Sequence, residues 1–432
     1  MVTQNVDLTA VYPRTIVEVE AENTGDQALS WYSIPFEPSE YESVIAFYAQ
    51  GSDDLFIPFS TSEGSSYVLS FPSPVQPGSR VKFSFAYTIK DSIKPRPEYA
   101  SQGEAQMLLF TGSKVFYSNY PTDEQVTVIR AITSSVTDLD TNQKVSIDKK
   151  VGGIKYGPTR NVPARVYKPL RLHYANPIPQ LHVSHYNRTI WLSHWSDAVS
   201  FDESYDINNC GTKMSSPFSR NDYNHYMQDT KASLATSAVR KLRIPTGPDA
   251  RDHYYVDLVG NVSTSAIGRG YLDVLTRFPL FGGWRTEFTI GWSGPLARYV
   301  QLAKQNTYSF DIPILGGPDG VSYDHVATTI IFPEGAKNIR VYFPPAVENF
   351  INDYEFSKVY SYLDLYGRTS LTIKSSDLLS EQRTMPYTVS YEYTFLTALR
   401  KPLTYAALVF IVLVSAKFLS TSLGASPKPK SD

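Results

Sequence analysis

The chain has 432 residues, 19 % of them charged, and a formal net charge of −2. That balance excludes a disordered chain, and the near-neutral charge excludes a nucleic-acid partner, which would leave a basic footprint. Aromatic residues reach 13 %, with 31 Tyr and 22 Phe beside 29 Pro, and long helical patterns are few. This composition indicates a β protein with room for two or three domains. The single cysteine, Cys210, leaves no internal disulfide, so the fold rests on its cores. Its thiol reads as buried or tolerated, not as a nucleophile.

Met1-Val-Thr-Gln-Asn5 has neither a basic n-region nor an apolar h-region. The numbering therefore reads as that of a mature or trimmed chain, unless the C-terminal helix is a tail anchor. Residues 14–22 alternate, with Val17, Val19 and Ala21 against Glu18 and Glu20, as a half-buried strand does. A second such strand is predicted at 81–89, behind the Pro77-Gly78 turn. Similar runs at 125–132, 166–174, 188–195, 271–277, 286–292, 326–332 and 387–395 suggest antiparallel β-sandwiches. Tyr12-Pro-Arg-Thr-Ile16 is echoed by Tyr186-Asn-Arg-Thr-Ile190, each opening a strand after a polar stretch. The echo fits two tandem β-domains, 1–177 and 178–396, with a seam near Pro177 and Pro179. A helical insertion is expected within the second at 231–242. In the last strand Tyr387, Val389, Tyr391, Tyr393 and Phe395 share a face, and only residues 396–401 separate it from an apolar segment.

That segment, 402–416, carries no charge. A span needs about 20 apolar residues. The run reaches this length if Lys417 snorkels and the helix continues to Leu423. The reading is one transmembrane helix at 402–423 and a short cytosolic tail at 424–432. Ala406, Ala407, Ser415 and Ala416 are small enough for close helix packing. Basic residues flank both ends, so the positive-inside rule does not orient the helix.

No catalytic constellation stands out. His182, His185 and His194 are near in sequence, but i and i+3 on a strand point to opposite faces, and no ligand at matching spacing completes a metal site. Gly268-Arg-Gly270 reads as a hairpin turn and not a phosphate cradle. Neither a Gly-x-Ser-x-Gly elbow nor a His-Glu-x-x-His motif is present. We therefore expect no catalytic residues, metal or cofactor. Two sequons, Asn187-Arg-Thr189 and Asn261-Val-Ser263, are candidate N-glycosylation sites. Two aromatic blocks are denser than a core requires: Trp191 and Trp195 on one strand face, and Phe278, Phe281 and Trp284 around a Gly-Gly turn. They read as a packed inter-domain or core corner, or as a docking surface for a partner or nascent chain.

Several strings resemble the ribophorin I family: Trp191-Leu-Ser-His-Trp195, Asp257-Leu-Val-Gly-Asn-Val-Ser-Thr-Ser265 and Arg277-Phe-Pro-Leu-Phe-Gly-Gly-Trp284. Tyr117-Ser-Asn-Tyr-Pro-Thr122, Tyr156-Gly-Pro-Thr-Arg-Asn-Val-Pro163, Pro217-Phe-Ser-Arg-Asn-Asp-Tyr223, Phe332-Pro-Glu-Gly-Ala-Lys-Asn338 and Tyr362-Leu-Asp-Leu-Tyr-Gly-Arg368 extend the match, in order, from about residue 105 to the helix. The first 100 residues match in pattern more than in letters. The resemblance implies two luminal β-rich domains and a single-pass type I span in the endoplasmic-reticulum membrane, with a short tail as in fungal members. It implies a non-catalytic subunit of the oligosaccharyltransferase complex. That complex transfers a preassembled oligosaccharide from dolichyl diphosphate to Asn of Asn-x-Ser/Thr sequons. The implied partners are a catalytic multi-spanning subunit, small membrane subunits, the nascent polypeptide and membrane lipid. The alternatives are a stand-alone membrane-anchored enzyme, which needs a nucleophile–base contact or carboxylate pair in one cleft, and an adhesion-type ectodomain.

Overall fold

The computed structural model describes residues 1–62, 65–133, 135–145, 147–148, 152–228, 237–360 and 366–424. Strands dominate, and one long helix, Phe395–Gly424, closes the described chain. The strands up to residue 175 are, in order, β1 (Val2–Asp7), β2 (Arg14–Glu22), β3 (Leu29–Pro35), β4 (Val44–Gly51), β5 (Phe59–Ser62), β6 (Ser66–Val75), β7 (Arg80–Ile89), β8 (Ile93–Pro95), β9 (Tyr99–Ala100), β10 (Met107–Ser113), β11 (Thr122–Arg130), β12 (Val136–Asp138), β13 (Gln143–Val145), β14 (Ile154–Val162) and β15 (Pro169–Ala175). After residue 180 come β16 (Leu181–Ser193), β17 (Ala198–Asn209), β18 (Lys213–Met214), β19 (Val239–Gly247), β20 (Arg251–Asp257), β21 (Gly260–Asn261), β22 (Ala266–Gly268), β23 (Gly270–Leu280), β24 (Arg285–Pro295), β25 (Val300–Lys304), β26 (Thr307–Pro313), β27 (Val321–Ile331), β28 (Lys337–Tyr342), β29 (Ile351–Val359), β30 (Arg368–Leu379) and β31 (Pro386–Glu392).

The two sets repeat one topology. The large sheet of the first runs β14-β11-β1-β2-β7-β4, and that of the second contains β30-β27-β16-β17-β24-β20 in the same order. In each, the first strand pairs parallel with a late one, β1 with β11 and β16 with β27, while the other neighbours are antiparallel. The small sheet β3-β6-β5 has its counterpart in β19-β23-β22, and β12-β15-β10-β8 in β28-β31-β26-β25. The copies differ at their margins. β13 extends a small sheet in the first, while β29 and β21 extend the large sheet in the second. Sheet membership changes between Ala175 and Leu181; among the described residues only the two-stranded ribbon β9–β18 draws on both sides.

Side-chain alternation explains the layers. Val17 and Val19 of β2 are buried, while Glu20 on the wet face pairs with Lys82 and Arg80 of β7. In the first repeat the large sheet packs one cluster against β3 and β6 (Val17, Phe85, Ile34, Leu69) and another against β10 and β15 (Ile129, Leu108, Leu172, Tyr174). In the second repeat one continuous core joins all three sheets.

Several expectations need correction. The sheets are not purely antiparallel. A parallel pair requires a long crossover, and each repeat supplies one through its small sheets. The five-residue echo is out of register with the duplication. Tyr12–Ile16 leads into β2, whereas Tyr186–Ile190 lies inside β16, the counterpart of β1. Of the helical patch at 231–242, residues 231–236 lie outside the described residues, and Val239–Leu242 open β19. Pairing with β23 overrides the helix-like composition there. A helix does precede it, at Arg220–Gln228. The last strand stops at Glu392, and Phe395 is exposed at the start of the closing helix instead of sharing the buried face of Tyr387, Val389, Tyr391 and Tyr393. Residues 396–401, expected as a linker, are therefore helical. The tail beyond 424 lies outside the described residues.

Candidate functional site

Trp191 and Trp195 do not share a strand face. β16 ends at Ser193, and Trp195 occupies the following turn with 65 % of its surface exposed. Its position is set by the closing helix. Thr394 and Thr397 cap that helix reciprocally: the Thr394 hydroxyl accepts from the Thr397 N–H at 3.2 Å, and the Thr397 hydroxyl accepts from the Thr394 N–H at 2.8 Å. Pro402 lies inside the helix and has no N–H for the carbonyl four residues back, that of Ala398. The indole N–H of Trp195 donates to that carbonyl at 3.2 Å. One side chain therefore satisfies the group that proline leaves open and pins the helix to the second repeat. Behind it, His194 stacks on Tyr393 at 4.5 Å and bonds the Tyr391 hydroxyl at 2.9 Å. Burial holds the His194 imidazolium below its usual range. A cleft of about 320 Å³ opens between this turn and the first helix turns, lined by Trp195, Glu334, Arg368, Tyr393, Lys401 and Tyr405 among others. Lys401 pairs with Glu334 at 4.0 Å, and Arg368 lies over the Trp191 ring at 5.8 Å.

The other aromatic block lies at the seam between repeats. Phe281 is buried, Phe278 is 39 % exposed, and both rings meet Trp284, at 5.5 and 5.7 Å. Phe218 and Tyr223, beside and within the Arg220–Gln228 helix, complete the knot against Phe281. Gly282 forms a bridge to Lys213 at the start of β18, the strand that pairs with β9 of the first repeat. Gln106, wholly buried, ties the same place together. Its amide donates to the carbonyls of Asn176 and Ile178 at 3.1 and 3.0 Å and accepts from the Thr212 N–H at 2.9 Å. This block is a packed corner between repeats; Phe278 and Phe218 are its most exposed rings, and Trp284 and Tyr223 are half-buried.

A second seam contact was invisible in the sequence. Lys90 of the first repeat bonds Asp324 and, at 3.0 Å, Asp377 of the second. His182 reaches Asp324 through Nε2 at 2.7 Å and the Ser322 hydroxyl through Nδ1 at 2.8 Å. The contact order is that of a nucleophile, base and orienting carboxylate. The exposure is not: Ser322 is buried, and Asp324 is shared with Lys90. We read the cluster as a clasp between repeats. The bulge between Val183 and His185 also overturns the opposite-faces argument, since it returns His182 and His185 to the same outer face. Among the described residues no group of His, Cys, Asp or Glu is placed to hold a metal ion. Cys210 is a free, exposed thiol, not a buried one. Surrounding protein and the Asp324 carboxylate push it up, away from the reactive thiolate.

Burial raises Asp324, but its hydrogen bonds and charge contacts with Lys90 and His182 outweigh that and hold it below the ordinary carboxylate range. A carboxyl depressed by folding stabilises above its unfolded pKa and loses that contribution as pH falls through the folded one. Relative to the intrinsic amide rate at each pH, seam amides should therefore exchange faster with solvent deuterium below about pH 4 than at neutral pH. Lys90→Met should show the faster exchange already at neutral pH.

Asn187 is exposed on the outer face of β16, and Asn261 is exposed on the β20–β21 hairpin. Ala406, Ala407, Ser415 and Ala416 are all exposed along the closing helix. They form no single stripe. At about 100° per residue, Ala406 and Ser415 face opposite ways, as do Ala407 and Ala416.

A family model described as Ribophorin I matches residues 1–420. Dolichyl-diphosphooligosaccharide–protein glycosyltransferase subunit 1B of Arabidopsis thaliana is 26 % identical over 96 % of this chain and 90 % of its own length. The subunit 1B of Oryza sativa subsp. japonica is 28 % identical over 95 % and 88 %. Subunit 1 of Caenorhabditis elegans is 28 % identical over 96 % and 72 %. Among solved structures, an M1 zinc metallopeptidase from Deinococcus radiodurans overlays 49 % of this chain and 43 % of its own, at 10 % identity and a TM-score of 0.29. That likeness is too weak to bear on fold or chemistry.

Proposed function

The chain belongs to the ribophorin I family, and on that footing we propose that it works as an accessory, non-catalytic subunit of a dolichyl-diphosphooligosaccharide–protein glycosyltransferase. The observation that carries this reading is the end-to-end match: relatives designated subunit 1 or 1B of that enzyme align with 95 % or more of this chain. The single helix long and apolar enough to cross a membrane among the described residues, Phe395–Thr421, is covered by the family match up to residue 420. In this reading the chain is a single-pass protein of the endoplasmic-reticulum membrane with its two β repeats, 1–177 and 178–396, in the lumen. The exposed Asn187 and Asn261 are then accessible to glycosylation. The catalytic multi-spanning subunit and small membrane subunits pack beside it, and the exposed Phe278 contributes surface for a partner or nascent chain.

Two measurements test this. Depletion should lower glycosylation of many secreted proteins while the lipid-linked donor stays abundant. Normal glycosylation after depletion would overturn the reading. The helix supplies the second. Its small residues at 406, 407, 415 and 416 are exposed, and among the described residues none of its most apolar window is buried in this chain, so they are open to partner helices. Replacing Ala406 and Ala407 with leucine should weaken detergent-stable association with the other subunits and leave the melting of the β repeats unchanged. Because Ser415 and Ala416 face the other way, bulky residues there should disturb a different neighbour.

A further inference from the structure

The membrane-facing end of the second repeat carries a cleft that a plain tether does not require. Trp195, Phe395 and Leu396 are 65 %, 75 % and 78 % exposed there. Arg400 lies 3.9 Å over the Tyr366 ring from the neighbouring β29–β30 hairpin. The candidate span of 27 residues is about 40 Å long at 1.5 Å per residue, roughly 10 Å more than the hydrocarbon core. Arg400 and Lys401 place the surplus at the first turns, so residues 395–401 lie at headgroup depth, with apolar helix following from Pro402. The Trp195 turn is bonded to Ala398 and so lies at the same depth. Indole and phenol rings prefer this layer, with one end apolar and the other wet. The cleft is cationic on balance, with Lys401 and Arg368 against the single carboxylate of Glu334. Its outer wall, Pro402 and Tyr405, belongs to the span itself.

We propose that this cleft binds the phosphate headgroup of an anionic glycerophospholipid. Lys401 and Arg368 supply the charge, the Trp195 ring covers the headgroup–acyl boundary, and Tyr405 lines the path of the acyl chains. A bound lipid then holds the ectodomain at a fixed height on the bilayer, in addition to the covalent link through Thr394. The inference rests on the helix being a membrane span.

The test uses the full chain reconstituted in phosphatidylcholine vesicles with or without phosphatidylserine, the lipids brominated near the top of the acyl chain. Tryptophan quenching should be larger in the anionic vesicles. Trp195→Phe should remove the quenched component. Lys401→Gln, which keeps all tryptophans, should abolish the difference between the two vesicle types. Equal quenching in wild type and Trp195→Phe, or quenching indifferent to headgroup charge, would overturn the lipid site. Release of the chain by alkaline carbonate would overturn the membrane-span reading, and the site with it.

Discussion

Glu203→Ala is expected to destabilise the second repeat by about 3–5 kcal/mol, the cost of breaking a buried ion pair from one side. Glu203 and Arg188 are 1 % and 7 % exposed and lie 3.3 Å apart on paired strands β17 and β16. The Tyr205 hydroxyl donates to Glu203, and the Arg188 guanidinium donates to the Pro313 carbonyl at 3.2 Å. Burial, then the Glu203 charge, pushes the Tyr186 and Tyr205 hydroxyls well above their usual range, so both stay protonated. Gly317 lets the backbone pass over the Tyr205 and Tyr323 rings: its φ is +87°, and a Cβ would clash with the Tyr323 hydroxyl and come within 3.1 Å of the Tyr205 hydroxyl. Without Glu203 the guanidinium remains in the core with no carboxylate. For a repeat of this size the loss corresponds to a fall of about 10 °C in Tm, readable by calorimetry. Replacing both partners with Met and Leu should recover much of it, because no lone charge is then left inside. A single variant that melts with the wild type would show that the pair contributes little.

Gly282→Ala should loosen the seam. A Cβ at this position falls far inside van der Waals contact with the Thr212 carbonyl oxygen and 2.7 Å from the Gly211 carbonyl oxygen. Both obstacles are backbone, held by Gln106 and by the β9–β18 ribbon, so neither can rotate away. Overpacking costs about 1–3 kcal/mol where side chains can yield, and the upper end is expected here. The readout is limited proteolysis of the loops joining β9 and β10 and following β18, which should become cleavable in the variant and stay resistant in the wild type. Resistance in both would mean that the 281–284 turn can withdraw without opening the seam.

What the sequence disclosed, and what it hid, follows from range. Strands with one wet face, such as β2 and β7, alternate so plainly that their residues name them. The apolar run after Pro402 shows a span for the same reason. The five-letter echo, which fits two tandem β-domains, does not correspond in the fold, because topology outlasts side-chain identity and β16 matches β1, not β2. β1 itself went unread: Val2, Gln4 and Val6 form its buried row, and a polar residue in that row broke the apolar pattern. The Thr394–Thr397 cap was legible as two threonines three apart before an apolar helix, but the aromatic alternation through Phe395 masked it. Neither the Trp195–Ala398 bond nor the Lys90 clasp has a local signal. Each joins residues about two hundred or more positions apart, and only the paired sheets bring them together. The aromatic blocks are visible as composition, yet their division into a seam knot and a turn beside the closing helix depends on where β16 and β23 end.

The central claim is membership of a glycosyltransferase assembly. It is tested most directly by purifying the tagged full chain from native membranes in mild detergent and identifying its companions by mass spectrometry. Stoichiometric recovery of a multi-spanning glycosyltransferase subunit together with small membrane subunits is expected. Recovery of the intact chain without any glycosyltransferase subunit would contradict it.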